Sequence, residues 1–235
     1  LLGEVVPLVI GESTDEFTDE TRRFRMKRML LTAVTVIAMA LVACNPFSSD
    51  DDDDKSVEMT VENYWPLAVG NSWTLNNFED GTATNSIMLS ILAKDGDWYT
   101  MAMGEVGRAE GDTMLVGHVS GTIVVKGNMN DPDPWTLVAE PLTAGATFPA
   151  STTDNGRGRI VSIDSTLVTP AGTFTDVVVV TEYDPDETTD PNALGEVWYF
   201  APGAGLIGMA NYDYDSTSSS YIQKTHSVLA SNQIN

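Results

Sequence analysis

The chain has 235 residues, of which 34 are acidic and 12 are basic, and its net charge is −22. Such an acidic surface repels nucleic acid and anionic membranes, which argues against both as binding partners of the folded part. A single cysteine excludes a disulfide bond within the chain. We interpret the excess of acidic residues as a feature that keeps the protein soluble. A surface that binds cations or polycations is the alternative.

An export signal is predicted near the start of the chain. Residues 22–28, RRFRMKR, form a basic cluster, and residues 29–43, MLLTAVTVIAMALVA, form an uncharged apolar run. This run is shorter than the roughly 20 residues that a membrane-spanning helix needs, and a basic flank before a short apolar core is typical of a signal peptide. We place the signal peptide at 26–43 and interpret residues 1–25 as an over-extended gene prediction, with a genuine cytoplasmic extension as the alternative.

The signal core ends in the sequence LVAC, at residues 41–44. This segment resembles the lipobox of bacterial lipoprotein precursors. The resemblance implies a diacylglycerol thioether on the sulfur of Cys44, cleavage before Cys44 and acylation of the new amino terminus. Several acyl chains together give a stable anchor, so the expected membrane contact is made through this lipid.

An acidic segment follows the cysteine. Residues 45–63, NPFSSDDDDDKSVEMTVEN, are too polar to build a core, and their like charges extend the chain, so residues 44–63 are predicted to be a lipidated tether. Part of it resembles the surface-export signal of some bacterial outer-membrane lipoproteins: Ser49, Asp50, Asp51, Asp52 and Asp53. That resemblance implies an outer-membrane lipoprotein exposed at the cell surface. A plain spacer on a periplasm-facing protein is the alternative.

Residues 64–235 are predicted to form one β domain. Strand-like stretches separated by glycine, proline and aspartate turns occupy residues 82–92, 98–103, 113–119, 122–126, 135–139, 158–169, 173–183, 195–201, 205–214 and 219–230. No stretch of ten or more residues shows a helical apolar period. The predicted fold is therefore all-β, a mostly antiparallel meander of about ten strands, closed as a barrel or strongly curved as a half-barrel sheet.

Three ordered motifs carry a family resemblance. They are YWPLAVGNSWTL at 64–75, TPAGTFTDVVVV at 169–180 and VWYFAPGAGLIGM at 197–209. Together they resemble a group of largely uncharacterised bacterial lipoproteins, which implies an exported β domain and brings no catalytic residues with it. From the residues themselves, we interpret the glycines as turn formers and the large aromatic side chains as anchors between strand ends and core.

Two acidic loops and one tryptophan are candidates for ligand binding. Oxygen ligands suited to calcium crowd both loops: Asn128, Asn130, Asp131, Asp133, Asp184, Asp186 and Asp190. Neither loop has the spacing of an EF-hand, and Asp or Asn beside Pro is also a common turn former. Trp135 is either a stacking face for a sugar or the first residue of a buried strand. No other cofactor is expected.

Catalytic motifs are weak throughout. The sequence Gly203-Ala-Gly-Leu-Ile-Gly208 matches a dinucleotide fingerprint, but it precedes a strand-like stretch where that fingerprint requires a helix. The two histidines, His118 and His226, lie far apart in sequence, and no nucleophile elbow is present. Two histidines and one cysteine are too few to form a typical zinc site. We therefore expect no catalytic residues.

The sequence favours a membrane-anchored, monomeric lipoprotein with a non-catalytic β binding domain, whose ligand or envelope partner is not defined. A structural or envelope-assembly component without a small ligand is the first alternative. A hydrolase using paired carboxylates is the second, because the many acidic residues allow such pairs without identifying one.

Replacing Cys44 by alanine removes the thiol that receives the lipid. We expect the Cys44→Ala protein to lose incorporation of labelled fatty acid and to shift from the membrane fraction to the aqueous phase in detergent partitioning. A variant that still incorporates fatty acid and still partitions with membranes would contradict the lipobox.

Overall fold

A computed structural model of the chain describes residues 59–108, 111–151, 153, 155–185, 194–215 and 217–235. The proposed signal peptide, Cys44 and the Ser49–Asp53 signal lie outside these residues, as do Asp186 and Asp190. No helix among the described residues is long and apolar enough to cross a membrane.

One short helix and twelve strands account for the regular structure of this part of the chain. Their bounds are α1 Val61–Tyr64, β1 Ser72–Glu79, β2 Thr82–Asp95, β3 Trp98–Glu105, β4 Gly111–His118, β5 Thr122–Lys126, β6 Trp135–Ala139, β7 Thr147–Pro149, β8 Arg157–Thr169, β9 Gly172–Tyr183, β10 Glu196–Ala201, β11 Gly205–Asp215 and β12 Ser220–Gln233. Every strand predicted from the sequence is present, and β1 and β7 are additional to them.

All twelve strands belong to one antiparallel sheet, in the order β6-β5-β4-β3-β2-β1-β12-β11-β10-β9-β8-β7. The sheet curves into a nearly closed barrel, which confirms the predicted all-β meander. The edge strands β6 and β7 approach each other at the remaining seam, where the Thr136 N–H donates to the Ala150 carbonyl oxygen at 2.8 Å.

Tight turns hold the hairpins in register. Asp80 and Gly81 between β1 and β2, and Ser120 and Gly121 between β4 and β5, all have positive φ angles. Two central residues with positive φ are the signature of the type I′ turn, whose twist matches that of the flanking strands. The β2–β3 turn is centred on Gly96 and Asp97, because Asp95 still pairs with Trp98.

Side chains along each strand point alternately into and out of the barrel, and those that point inward form its core. On β1, Trp73, Leu75 and Asn77 point inward and are buried, while the residues between them are only partly covered. Asn77 is polar but satisfied, since its side chain bonds to Asn85 at 2.8 Å and to Ser227 at 2.7 Å. The core therefore continues across the β12–β1–β2 junction.

The three family-like motifs meet at one end of the barrel. Trp65 packs edge-on against Trp73, with ring centroids 6.0 Å apart, and lies 5.8 Å from the Phe200 ring. The Trp73 indole N–H donates to the Ala204 carbonyl oxygen, and the Tyr64 hydroxyl donates to the Asp176 carbonyl oxygen at 3.1 Å. These contacts confirm the interpretation of the motifs as architecture, although Phe174 is only half-buried.

The packed domain begins before residue 64. Val61 in α1 is fully buried, and its N–H donates to a carboxylate oxygen of Glu140 at 3.2 Å. The last residues that the sequence assigned to the tether are thus part of the domain, because α1 offers an apolar side chain to the end of the barrel.

The up-and-down course of the chain defines two ends of the barrel. The near end carries α1, the turn at 66–71, the connections β2–β3, β4–β5, β6–β7, β8–β9 and β10–β11, and residues 234–235. The far end carries the other strand connections, from β1–β2 round to β11–β12. Met59, the first residue that the structure describes, also lies at the near end.

Gly205 and Gly203 provide a matched test of the near-end packing, because both have positive φ. A Cβ at Gly205 would lie 2.8 Å from both Trp65 Cδ1 and Trp73 Nε1, whereas one at Gly203 would meet nothing within 4 Å. Both alanine variants carry left-handed strain of roughly 1–2 kcal/mol, and Gly205→Ala adds overpacking of about 1–3 kcal/mol. We expect Gly205→Ala to unfold at lower urea concentration than Gly203→Ala; equal midpoints would contradict this packing.

Candidate functional site

A group of aromatic side chains lies on the outer face of the barrel, where β1, β12, β11 and β10 adjoin. We call it the aromatic strip, and its members are Phe78, Tyr199, Tyr212, Tyr214, Tyr221 and His226. Phe78 faces outward because its neighbour Asn77 points into the barrel. Its cross-strand partner is His226, and the two rings stack with centroids 5.0 Å apart and an interplanar angle of 17°.

The tyrosines on β11 reach the same face. Met209 pairs with Ser227, which pairs with the inward Asn77, so Met209 points into the barrel and Tyr212 and Tyr214 point out. Tyr214 lies opposite Tyr221 on β12, with ring centroids 5.2 Å apart. Tyr214 is 56% exposed, so this pair presents ring surface to solvent.

Tyr199, on β10, forms one edge of the strip. It pairs with Gly208, and a Cβ at that glycine would lie only 3.4 Å from the Tyr199 ring, so the ring rests on bare backbone. Burial raises the pKa of Tyr199, and the charge and hydroxyl of Tyr212, with which it is hydrogen-bonded, raise it further. The Tyr199 hydroxyl therefore stays protonated at neutral pH.

Polar side chains flank the rings. Asn76 lies two residues before Phe78 on the same face, and its carboxamide oxygen accepts a hydrogen bond from the Ser86 hydroxyl at 2.8 Å. Gln223 pairs with Tyr212 across the β11–β12 register shift. Flat rings with amides and hydroxyls at their margins suit a ligand that has both apolar faces and hydroxyl groups.

The first predicted calcium loop is closed by its own hydrogen bonds. Asp131 accepts from the N–H groups of Gly127 and Asp133, both at 3.2 Å, and Asn128 accepts from the Asn130 N–H at 2.9 Å. Turn chemistry thus accounts for these side chains. Asp184 follows β9, on a different strand connection. In the described part of the chain, no three acidic, histidine or cysteine side chains group as metal ligands.

Asp133 links the two sides of the barrel seam. Its Oδ2 accepts hydrogen bonds from the hydroxyls of Ser151 at 2.9 Å and Thr153 at 2.5 Å, so the segment before β6 is tied to the segment after β7. Trp135 is the first residue of β6, half-buried and paired with Val125. It does not belong to the aromatic strip.

The two histidines lie in unrelated places. His118 pairs with Ile123 and packs beneath α1, where it hydrogen-bonds to the Trp65 backbone; burial is the main effect that lowers its pKa. Burial also lowers the pKa of His226, which stacks on Phe78. Neither forms part of a nucleophile–base pair with another described residue.

An open hollow of about 210 Å³ lies across β2, β3 and the β3–β4 connection. Met88, Met103 and Val106 contribute its apolar lining, and the Glu105–Arg108 ion pair, 2.7 Å long, stands at its edge. This volume is smaller than a typical small-molecule pocket of roughly 300–1,000 Å³. The aromatic strip is therefore the stronger candidate for ligand binding.

The comparisons with known proteins concern architecture. One similar solved structure is described as a candidate exported protein with a YmcC-like fold from Bacteroides fragilis. It shares 16% sequence identity with this chain, covers 73% of this chain and 99% of its own, and has a TM-score of 0.46. No family model and no curated protein matches the sequence.

The sequence reading missed the aromatic strip because its members are scattered over four strands. A partial signal was present, since Tyr212, Tyr214 and Tyr221 alternate with other residues on both sides of one hairpin. The register shift between Asn211 and Tyr212 obscured it, because the alternation on β12 changes face at that point.

The histidines predict a pH dependence of stability. Because burial holds the pKa of His118 and His226 below the 6.5 of an unfolded histidine, the unfolded chain binds more protons than the folded chain as the pH falls through about 6.5. We expect the free energy of unfolding to decrease between about pH 7.5 and 5.5. In urea titrations, the His118→Gln/His226→Gln protein should show a flatter dependence; an unchanged slope would contradict this origin.

Proposed function

We propose that the chain is a membrane-anchored bacterial lipoprotein whose β domain binds an extended ligand on its outer surface and catalyses no reaction. The aromatic strip is the observation that carries this proposal. The lipobox at Cys44 supports the anchor, and the Ser49–Asp53 segment supports display at the surface of the outer membrane. The domain acts as a monomer in this account.

A neutral polysaccharide is the ligand class that the strip favours. Sugar rings have apolar C–H faces that stack on aromatic side chains, and their hydroxyls need partners such as Asn76, Gln223 and the tyrosine hydroxyls. A net charge of −22 repels an anionic polymer, which favours a neutral one. Because the strip crosses four adjacent strands, it suits an elongated chain better than a single small molecule.

The structural role without a ligand is the second candidate. It is favoured by the well-filled near end, where Trp65, Trp73 and Phe200 are almost completely buried. In that case, Tyr214 and Tyr221 would contribute surface packing alone, and replacing them would change stability without affecting any binding.

Affinity electrophoresis in gels containing dextran, mannan or xyloglucan tests the proposal. We expect at least one of these neutral polysaccharides to retard the wild-type protein, and the Tyr214→Ala/Tyr221→Ala variant to lose most of that retardation. Loss of one stacking ring costs about 1 kcal/mol, so two rings together weaken binding by roughly ten- to thirtyfold.

The Tyr214→Phe/Tyr221→Phe variant is the matched control, because it keeps both rings and loses only the hydroxyls. It should be retarded almost as strongly as the wild type, with thermal unfolding of all variants checked in parallel. Wild-type protein that migrates freely in all three gels, or equal retardation of the alanine and phenylalanine variants, would refute a stacking site for saccharides.

A further inference from the structure

The hollow across β2 and β3 opens on the outer face of the barrel. Leu89 on β2 and Met103 on β3 pair with each other, and both are buried in the core. Their neighbours Met88 and Gly104, which also pair, therefore point outward. Met88 is 46% exposed and forms part of the wall. The hollow is thus reached from solvent along the same outer face that carries the aromatic strip.

Small residues and bare backbone form the floor of the hollow. Ala102 lies opposite Ser90, and Gly104 lies opposite Gly111 on β4. A Cβ at Gly111 would lie 2.7 Å from the Met103 carbonyl oxygen, so the close packing of β4 on β3 keeps this position without a side chain. The floor is therefore set back from the longer side chains at its edge.

The edge of the hollow is apolar, and its charges are balanced. Met88 and Val106 are both about half exposed, so a group bound in the hollow removes apolar surface of both side chains from water. Glu105 and Arg108 are the charged residues of the lining, and they form an ion pair. An uncharged group with an apolar part therefore gains from burial there, whereas an anion meets no unpaired cation among the lining residues.

Asn76 and Ser86 connect the hollow to the aromatic strip. Asn76 lies two residues before Phe78 on the same outward face and accepts a hydrogen bond from the Ser86 hydroxyl at 2.8 Å. The Ser86 carbonyl oxygen accepts a hydrogen bond from the Val106 N–H, also at 2.8 Å. Two strand spacings, roughly 10 Å, therefore separate Asn76 from Val106 at the edge of the hollow. A polymer that lies on the strip and continues past Asn76 passes over the hollow.

We infer that the hollow binds an acetyl substituent of the polysaccharide that lies on the aromatic strip. This inference rests on the proposed function and names a feature of its ligand. A volume of about 210 Å³ is too small for a typical whole ligand, but it suits a group of a few heavy atoms. An O-acetyl group is uncharged, so the net charge of −22 does not repel it, and its methyl group leaves water against Met88 and Val106.

The polar atoms of the hollow suit an acetyl group better than a purely alkyl one. Ser90 places its hydroxyl at the floor, and Arg108 stands at the edge. Arg108 binds Glu105 through Nε, and a guanidinium group carries further N–H donors. These groups can donate hydrogen bonds to the carbonyl oxygen of an acetyl ester, which an alkyl substituent does not have.

Sparsely O-acetylated dextran, mannan and xyloglucan, each compared with its untreated form in affinity gels, test this inference. Sparse acetylation leaves most hydroxyls free for the aromatic strip. For the polymer that retards the wild-type protein most strongly, we expect the acetylated form to bind with an apparent dissociation constant about three- to fivefold lower. The reason is that burial of one methyl group strengthens binding by a factor of about four.

Three variants locate the preference. Ala102→Phe fills the hollow from its floor and should abolish the preference for acetylated polymer, while retardation by untreated polymer stays unchanged. Thr173→Phe is the matched control, because Thr173 is an exposed strand residue on β9 outside the hollow and the strip, and it should keep the preference. Met88→Ser removes an exposed apolar side chain without filling the hollow and should reduce the preference to less than about twofold.

The outcomes distinguish this inference from the proposed function. Wild-type protein that migrates freely with every polymer, acetylated or untreated, would refute the proposed function. Retardation by an untreated polymer with no preference for its acetylated form would overturn the acetyl site alone. A preference that both Ala102→Phe and Met88→Ser retain would overturn it as well, because the acetyl group would then be bound elsewhere.

Discussion

The structure depends on the packing of Trp65 and Trp73 around Gly205 at the near end of the barrel. Gly205 has a φ of +87°, and its missing side chain leaves the space that both indole rings occupy. The Trp73 N–H is satisfied by the Ala204 carbonyl oxygen, so a large buried ring carries no unpaired donor. This contact joins the start of β1 to the β10–β11 turn, which is more than 130 residues away in sequence. It thereby fixes α1 across the end of the sheet.

The aromatic strip lies on the outer side of the same barrel. The aromatic strip requires β1, β12, β11 and β10 to lie side by side, and the β1–β12 pairing that brings them together joins the first strand to the last. The closed near end and the aromatic strip are therefore consequences of a single arrangement.

Local patterns were sufficient to predict most strands but not every one. The hairpins from β2 to β5 and from β8 to β12 combine β-branched or aromatic residues with Gly, Pro or Asp turns, which is strong local information. Strand β1 lacked a continuous apolar pattern because Asn76 and Asn77 interrupt it, and Asn77 is stabilised by partners that lie on other strands. Strand β7 has only three residues and ends in Pro149, which is permitted because it is an edge strand. The aromatic strip could not be predicted in this way. Its members are brought together by a register shift and by the pairing of strands that are distant in sequence, which no short stretch of sequence shows.

The most direct test of the central claim is native mass spectrometry of the protein, purified gently from the cells that produce it together with whatever it holds. The account predicts a saccharide-bound population that disappears on denaturation and is absent from the Tyr214→Ala/Tyr221→Ala protein. A bound lipid that persists in that variant, or wild-type protein that carries no bound mass, would contradict the aromatic strip as the binding surface.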